Sequence, residues 1–334
     1  MNWAGLLQKS KQGRFLVVGD ICLDRWCRYD PELSEGSRET GIPRLAVVKT
    51  SVSPGAGGTV ANNLASLGAG RVAVLGAIGQ DGFGFELERA LTARRIDYSL
   101  LVASTDIQTF TYSKMINDQT DEEDRARVDF VNPRPLPSDV EDQLIANFSS
   151  VYQEFDAIVV SDQSETREGG VVTAALREVL ADVAERNPEK AVIVDSRTRI
   201  HHFRNAICKP NEQEADAACR ALFGARDYPR LRHALGDRPL VITRGEEGSL
   251  LVTIDGQKEI PAVHFGDTVD ICGAGDSCAA GMAIALQAGA GIEAAVQLGG
   301  MVASITTTKR GTGCATPDEV LAIADALEGG RALR

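Results

Sequence analysis

Five segments of the chain are apolar at almost every position and lack the alternation of a strand with one face in water. Such runs are typical of strands buried on both faces of a parallel sheet. Helix patterns lie between them, and alternating strands and helices predict a doubly wound, mostly parallel central sheet with helices on both faces, an α/β fold. The apolar runs are 14–20, 71–79, 157–162, 191–195 and 240–243, and the helix patterns include 83–94, 170–187, 278–288, 292–309 and 318–327.

Two short β patterns, 44–49 and 102–116, stand apart from this alternation. We therefore predict one domain over residues 1–334, with a small β lid from about 25–52 and 105–130 inserted in it. The edges of a small sheet are exposed unless they pair. We accordingly expect a homodimer formed through the lid.

Composition and charge narrow the range of possible partners and cofactors. The chain has 334 residues, 43% of them hydrophobic, and a net charge of −12, so a nucleic-acid partner is not expected. No signal peptide and no membrane-spanning apolar run is visible, which predicts a cytoplasmic protein without a membrane partner. The seven cysteines lack the paired spacing of zinc ligands, and we interpret them as free thiols.

A Gly-Ala-Gly turn at residues 273–275 leads into a small-residue helix. Glycines allow a positive φ and a close approach of ligand, and the first helical turn presents unpaired N–H groups to an anion such as phosphate. Asp276 would place a carboxylate beside that anion, which suits a general base acting on a hydroxyl that attacks the phosphate. The alternative interpretation is a tight turn with Asp270 or Asp276 capping the helix.

Other candidate ligand residues follow the first strand and the first glycine turn. Asp20 and Asp24 lie at the carboxyl end of strand 14–20, where open α/β sheets bind ligands. They would hold sugar hydroxyls, or else serve as a turn residue and a surface residue. Asn62 falls off the apolar face of the helix after Gly58 and is available to a ligand hydroxyl.

In their order and spacing, these motifs resemble the ribokinase-like (PfkB) carbohydrate kinase family over nearly the whole chain. The resemblance rests on a glycine pair with a downstream Asn at 57–62 and on an Asp-x-x-Gly-Ala-Gly-Asp segment at 270–276. Asn211-x-x-Glu214 and Thr243-x-Gly245 lie between them. Walker-type and protein-kinase loops are absent from the sequence, so phosphoryl transfer here requires this other architecture.

The resemblance implies roles for individual residues. Asp276 is implied to be the base, beside an anion hole at the amides of Gly273, Ala274 and Gly275. The implied acceptor-binding residues are Asp24, Gly57, Gly58 and Asn62, and the implied ATP-pocket residues are Asn211, Thr243, Gly245 and Gly248.

The resemblance also implies cofactors. Glu214 corresponds to a residue that organises Mg²⁺ through water, and Asp270 to one near a monovalent cation such as K⁺. Two positions depart from the family pattern. Ile271 stands where Thr is common, and Gly300 where many members have an Asn lining the nucleotide pocket.

We therefore expect an ATP-dependent sugar kinase that acts on a sugar or sugar phosphate. Within the family, Gly19–Trp26 and Lys309–Thr312 resemble bacterial D-glycero-heptose-7-phosphate kinases, which favours an acceptor of that kind. Two alternatives stay open, namely a nucleoside kinase of the same fold and a catalytically silent sugar- or nucleotide-binding protein.

Overall fold

The computed structural model describes residues 1–166 and 168–328. In this part of the chain a nine-stranded sheet forms the centre and a four-stranded sheet lies apart from it. The strands are β1 (Arg14–Gly19), β2 (Ile21–Asp30), β3 (Ala46–Ala56), β4 (Arg71–Gly79), β5 (Asp97–Ser104), β6 (Thr111–Asn117), β7 (Val128–Phe130), β8 (Ala157–Asp162), β9 (Ala191–Ser196), β10 (Ile207–Cys208), β11 (Leu240–Thr243), β12 (Ser249–Thr253) and β13 (Gly256–Ile260). The helices are α1 (Trp3–Ser10), α2 (Gly57–Ser66), α3 (Gly82–Ala93), α4 (Ser138–Val151), α5 (Ala174–Arg186), α6 (Glu212–Phe223), α7 (Tyr228–Ala234), α8 (Ala274–Gln287), α9 (Ile292–Thr307) and α10 (Pro317–Glu328).

The central sheet has the strand order β13-β12-β11-β10-β9-β8-β1-β4-β5. Its strands from β5 to β11 are parallel, and β12 and β13 add an antiparallel hairpin at one edge. The chain enters the sheet at β1, adds β4 and β5 on one side, and then crosses to add β8 on the other. The carboxyl end of β1 is therefore a topological switch point, where ligands bind in open α/β sheets.

Side chains of each central strand alternate between two hydrophobic cores. Phe15 and Val17 belong to the core under α2, α8 and α9, whereas Leu16 and Val18 belong to the core under α4 and α5. All four are fully buried. The predicted doubly wound α/β fold is confirmed.

The second sheet has the order β3-β2-β6-β7, with β2 and β6 parallel and both outer pairs antiparallel. Its strands overlap the two segments in which we predicted the lid, but β2 already begins at Ile21 and β3 continues to Ala56. The Pro-Gly sequence at the start of residues 54–56 predicts a turn, and this prediction is wrong for all three residues. They continue β3 as far as Ala56, opposite Ile21. Residues 128–130, which lead into a proline-containing segment that predicts irregular structure, form β7. In the following sections we call this four-stranded sheet the lid sheet.

No helix of the described residues is long and apolar enough to cross a bilayer. The sequence patterns did not predict α1 or α7. Helix α8 begins at Ala274, so the expected Gly-Ala-Gly turn is partly its first turn.

Candidate active site

Asp276 lies in the first turn of α8, three residues after a backbone conformation that only glycine adopts easily. Gly273 is the N-cap residue, with a φ of 77°, and no side chain caps the helix. A Cβ on Gly273 would also lie 3.0 Å from Thr59 Cγ2 on α2. The glycine therefore allows both the left-handed turn and the close approach of the two glycine-led helices.

The N–H groups of this turn are not equivalent. The Ala274 N–H donates to the Ile271 carbonyl oxygen at 3.2 Å. Gly275 and Asp276 are in the first turn of α8, where backbone N–H groups have no partner within the helix. With the macrodipole, these two donors make the end of α8 attractive to an anion.

A cavity of about 120 Å³ joins Asp276 to Asp24 and Gly273, three of the expected site residues. It lies between the lid sheet, the start of α2 and the carboxyl ends of the central strands. The remaining lining residues include four cations, Arg25, Lys114, Arg127 and Arg197, as well as Trp26, Ala56, Thr59, Tyr112, Gln163, Glu165, Cys272 and Thr312. The sequence patterns did not identify these four cations as site residues.

The surroundings of Asp276 favour a carboxyl group that takes up a proton near neutral pH. Burial and the nearby carboxylates of Asp195 and Asp24 raise the pKa of Asp276 to about 8, although Lys209 and Arg197 act in the opposite direction. A general base works best when its pKa is near the working pH. The electrostatics of Asp276 therefore suit that role.

Asp24 on β2 occupies the other side of the cavity. Burial raises its pKa to about 6, against the lowering effect of Lys114 and Arg127. Gly55 on the neighbouring strand makes room for it, because a Cβ there would lie 2.6 Å from Asp24 Oδ1. The need for a glycine at residue 55 becomes apparent only once β2 and β3 are paired.

A second, larger cavity of about 560 Å³ adjoins the first and shares Trp26, Lys114 and Thr312 with it. Arg28, Arg94 and Arg310 also line it, with Asp121, Glu123 and Asp270 as its acidic groups. Arg28 and Arg310 both pair with Asp121. Among the described residues, no carboxylate lies within ion-pair distance of Arg94, which bonds to Ala90 O and Ser53 Oγ.

The first glycine motif is mainly structural in its contacts. A Cβ on Gly57 would lie 2.7 Å from Ile21 Cδ1, and one on Gly58 would lie 2.5 Å from Pro54 Cβ. Asn62 is 7% exposed, and its side chain has no hydrogen-bond partner among the described residues, but it does not line either cavity. The assignment of Gly57, Gly58 and Asn62 to the acceptor site therefore stays a prediction.

The expected nucleotide residues lie together at the ends of β10 and β11. Asn211 and Thr243 form a parallel bridge, and the Thr243 N–H donates to Pro210 O at 3.0 Å. Gly245 and Gly248, with φ of 56° and 89°, bound the single helical turn that follows. Thr243 is thus adjacent to Asn211, and Gly245 and Gly248 follow in the next turn; we call these four residues the nucleotide wall. None of them lines either cavity, and their assignment to an ATP pocket stays a prediction.

Asn211 and Glu214 form a capping box at the start of α6. The Asn211 N–H donates to Glu214 Oε2 at 2.8 Å, and the Glu214 N–H donates to Asn211 Oδ1 at 2.9 Å. One Glu214 oxygen therefore stays available, which fits a water-mediated contact to Mg²⁺. In the described part of the chain, no cluster of three or more His, Cys, Asp or Glu residues could hold a metal on its own.

Asp270 ties the turn before α8 to the loop after α9. Its Oδ1 accepts the Cys272 N–H at 2.9 Å, and its Oδ2 accepts the Gly311 N–H at 3.0 Å. Each oxygen keeps another lone pair, so a monovalent cation remains compatible with this geometry. The contacts shown here are structural.

The contacts of Asp20 are structural. They do not support the sugar-binding role that the sequence left open for this residue. Its carboxylate accepts the backbone N–H groups of Gln163, Ser164 and Val171 at 2.8 to 2.9 Å. The residue is 1% exposed and lies where the chain leaves β1 for β2. It therefore fixes the junction between the central sheet and the lid sheet.

A buried ion pair, which the sequence patterns did not identify, lies behind the turn of α8. Lys209 Nζ is 2.8 Å from Asp195 Oδ2, and the lysine is 2% exposed. Asp195 follows an apolar strand run, and Lys209 directly precedes Pro210–Asn211. These positions are the only sequence signal for the pair.

Comparison with known proteins agrees with this geometry. The family model described as "pfkB family carbohydrate kinase" matches residues 15–319. The chain belongs to the pfkB family of carbohydrate kinases. It is accordingly a phosphotransferase, and the family resemblance deduced from the motifs is confirmed.

Curated relatives named "Bifunctional protein HldE" match over most of this chain. The protein from Methylococcus capsulatus is 32% identical over 342 residues, which cover 98% of this chain and 67% of the relative. The protein from Trichlorobacter lovleyi is 30% identical over 330 residues, which cover 95% of this chain and 64% of the relative. The chain thus spans about two thirds of the length of these relatives.

Solved structures share the fold at low sequence identity. A ribokinase from Thermotoga maritima has a TM-score of 0.68 at 21% identity and covers 93% of this chain and 99% of its own. A Burkholderia thailandensis nucleoside kinase in complex with inosine has a TM-score of 0.68 at 19% identity, covering 95% of this chain and all of its own. These matches establish the ribokinase-like fold.

Proposed function

We propose that the protein is an ATP-dependent sugar kinase whose acceptor is a sugar phosphate of the heptose 7-phosphate kind. The observation that carries the proposal is the position of Asp276. Its carboxylate, with a pKa raised to about 8, lines the same cavity as Asp24 and lies beside unpaired N–H groups of α8. A base, an anion-binding turn and an enclosed acceptor cavity are what phosphoryl transfer to an alcohol requires.

In this mechanism the acceptor hydroxyl lies between Asp24 and Asp276. Asp276 takes the hydroxyl proton while the oxygen attacks the γ-phosphorus of ATP. The new oxygen–phosphorus bond forms as the bond from phosphorus to the β-phosphate bridging oxygen breaks, and ADP leaves. The Gly275 and Asp276 N–H groups stabilise the negative charge on the transferring group.

ATP would lie along Asn211, Thr243 and Gly245, with its γ-phosphate directed at α8. Mg²⁺, when bound with ATP, neutralises phosphate charge, and the available oxygen of Glu214 would hold it through water. For Asp270 we propose a contact to K⁺ beside its backbone bonds. Activity that is the same in K⁺ and in Na⁺ salts would remove that assignment.

The choice of a sugar phosphate rests on the cations around the acceptor. The larger cavity extends from the catalytic one through Lys114, and Arg94 in it has no carboxylate partner among the described residues. An acceptor with its sugar at Asp24 would place a distal phosphate toward Lys114 and Arg94. The bifunctional HldE relatives match the chain over this region.

The test is an ADP-release screen of the wild type over sugars, sugar phosphates and nucleosides. We expect turnover with a seven-carbon or related sugar phosphate and little with the same sugar lacking phosphate. In Arg94→Met, the KM for the phosphorylated acceptor is expected to rise while the KM for ATP stays unchanged. A wild type that prefers unphosphorylated sugars would contradict the acceptor assignment.

The base role has its own test. Asp276→Asn is expected to lower kcat by about 10²–10⁴, and Asp255→Asn, on an exposed turn far from the cavity, serves as the control. A folded Asp276→Asn variant with near wild-type turnover would remove Asp276 from the mechanism.

A nucleoside acceptor is the second candidate, because Trp26 and Tyr112 line the acceptor cavity. A nucleoside base would stack on these rings, and the same screen decides between the two classes. Faster turnover with adenosine or inosine than with every sugar phosphate would select the nucleoside.

We also propose that the lid sheet closes over the acceptor and forms a homodimer. Its edge strand β3 exposes Val47 and Val48, which are 44% and 50% exposed, and the other edge exposes Val128. Unpaired, exposed apolar edges are sites of strand pairing. A monomer mass in light scattering at micromolar concentration would contradict the dimer.

A further inference from the structure

Lys209 is a buried cation that the mechanism above does not use. It follows β10 and leads into the nucleotide wall at Asn211, and it is 2% exposed. Burial lowers the pKa of its ammonium group, but Asp195, Cys278 and Glu214 together outweigh burial and hold the pKa above its usual value. Lys209 therefore carries its charge.

Gly275 separates this ammonium group from the outside of the anion-binding turn. A Cβ on Gly275 would lie 3.6 Å from Lys209 Nζ and 3.7 Å from Asp195 Oδ2. Gly275 itself is exposed. The missing side chain leaves a gap at the N-terminus of α8, with the ammonium group at its inner side.

The ammonium group has spare donors in this position. An ammonium carries three N–H donors, and Asp195 is the only carboxylate within ion-pair distance of Lys209 in residues 1–166 and 168–328. The carboxyl groups of Asp276 and Glu214 and the thiol of Cys278 are the other titratable groups that interact with this pair. The pair thus lies between the expected base and the expected nucleotide residues.

A buried ion pair contributes little to the stability of a fold, because the loss of hydration of two charges offsets their attraction. An apolar pair of similar volume would fill the same space. The charged pair of Lys209 and Asp195 lies at the gap left by Gly275. It has a functional use there, because a cation at this place faces the charge that develops during phosphoryl transfer.

We propose that Lys209 is a further catalytic residue, whose ammonium group donates a hydrogen bond through the Gly275 gap to an oxygen of the transferring phosphoryl group. Asp195 keeps a second N–H of the same ammonium and so holds it in place. The proton stays on Lys209 throughout, so the bonds made and broken are those already given. The inference rests on the proposed kinase function.

The experiment compares Lys209→Met with the double variant Asp195→Asn/Lys209→Met. The single variant leaves a buried carboxylate unpaired and is expected to lose both stability and kcat. The double variant removes one positive and one negative charge, so its thermal midpoint is expected to recover and the apparent pKa of the base to stay in place. Its kcat is expected to remain about 10²-fold or more below wild type, with the KM for ATP within about threefold.

A matched control is Lys190→Met. Lys190 is also partly buried, and it donates to the carbonyl oxygens of Tyr152 and Phe155. It precedes the amino end of β9, whereas the site is at the carboxyl end. Its kcat is expected to equal that of the wild type.

A second readout does not depend on turnover. ADP with fluoroaluminate mimics the transferring group, and calorimetry with a bound acceptor is expected to show tighter binding than ADP alone in the wild type. The double variant is expected to lose this gain while it keeps its affinity for ADP.

The outcomes separate the two claims. A double variant that regains kcat to within about fivefold of wild type, or keeps the fluoroaluminate gain, overturns the role of Lys209 alone. A wild type that releases no ADP with any acceptor overturns the kinase proposal and this inference with it.

Discussion

Asn63 Nδ2 donates a hydrogen bond to Ser277 Oγ at 3.2 Å and so joins the two glycine-led helices of the site. The same amide contacts Thr59 O and Gly313 O, and Asn63 Oδ1 accepts the Ala315 N–H. Ser277 Oγ in turn donates to Gly273 O at 2.8 Å. The turn that is expected to hold phosphate is therefore positioned by α2.

Replacing Asn63 by Ala is expected to destabilise the protein by about 2–4 kcal/mol, because several buried partners lose their bonds together. Urea unfolding measures this. Ser66→Ala is the matched control. It removes a single bond from the same helix to Ala315 O and is expected to cost about 1 kcal/mol. Equal losses in the two variants would contradict the central role of Asn63.

The rate is expected to depend on pH through Asp276. A base must lose its proton to act, and a pKa of about 8 leaves only a small part of Asp276 ionised at neutral pH. We therefore expect kcat/KM to rise about tenfold per pH unit below neutrality and to level off above about pH 9. Initial rates at saturating ATP measure this. A flat profile from about pH 6.5 to 8.5 would be inconsistent with the base assignment.

Gly55→Ala is expected to raise the acceptor KM about tenfold or more with little change in the KM for ATP. The new Cβ would lie 2.6 Å from the Asp24 carboxylate and would displace it from the cavity. Gly82→Ala is the control, because a Cβ at residue 82 contacts nothing within 4 Å. If Gly55→Ala bound the acceptor normally, Asp24 would not be an acceptor ligand.

Gly299 and Gly300 are neighbours on α9, and we expect their replacement by Ala to have opposite effects on stability. A Cβ on Gly300 meets nothing within 4 Å, so Gly300→Ala is expected to stabilise the protein by about 0.5–1 kcal/mol through helix propensity. A Cβ on Gly299 would lie 2.7 Å from Cys278 O on α8, and Gly299→Ala is expected to cost about 1–3 kcal/mol.

Thermal unfolding of both variants measures the difference between the two glycines. A destabilising Gly300→Ala would show that the space beside Gly300 is not open. The ATP KM of the same variant also reports whether that space belongs to the nucleotide pocket, as the family pattern implies.

The sequence predicted best where local pattern and final environment agree. Residues 71–79 and 157–162 are strands with the expected bounds, because a continuous apolar run has only the sheet interior to occupy. Pro54 was misleading. Proline is typical of a turn, but it is tolerated in an edge strand, and β3 is at the edge of the lid sheet.

The charged groups of the site were harder to assign, since the role of a carboxylate depends on residues far away in sequence. Asp20 and Asp24 are equivalent in the sequence pattern. Backbone N–H groups of residues 163, 164 and 171 surround Asp20, whereas Asp24 lines a cavity with Asp276. Those N–H groups reach Asp20 because β8 pairs with β1, although the two strands are far apart in sequence.

The order of the chain through the central sheet has a consequence for synthesis on the ribosome. The strands β1, β4 and β8 are complete by residue 162, but α8 and α9, which cover one face of the sheet, begin only at residues 274 and 292. In a nascent chain, the apolar face of the central sheet that α8 and α9 cover therefore stays exposed until about the last fifth of the chain has emerged. We therefore expect the strands made early to lack the packing partners of one sheet face, and truncation before α9 to produce a molecule prone to self-association.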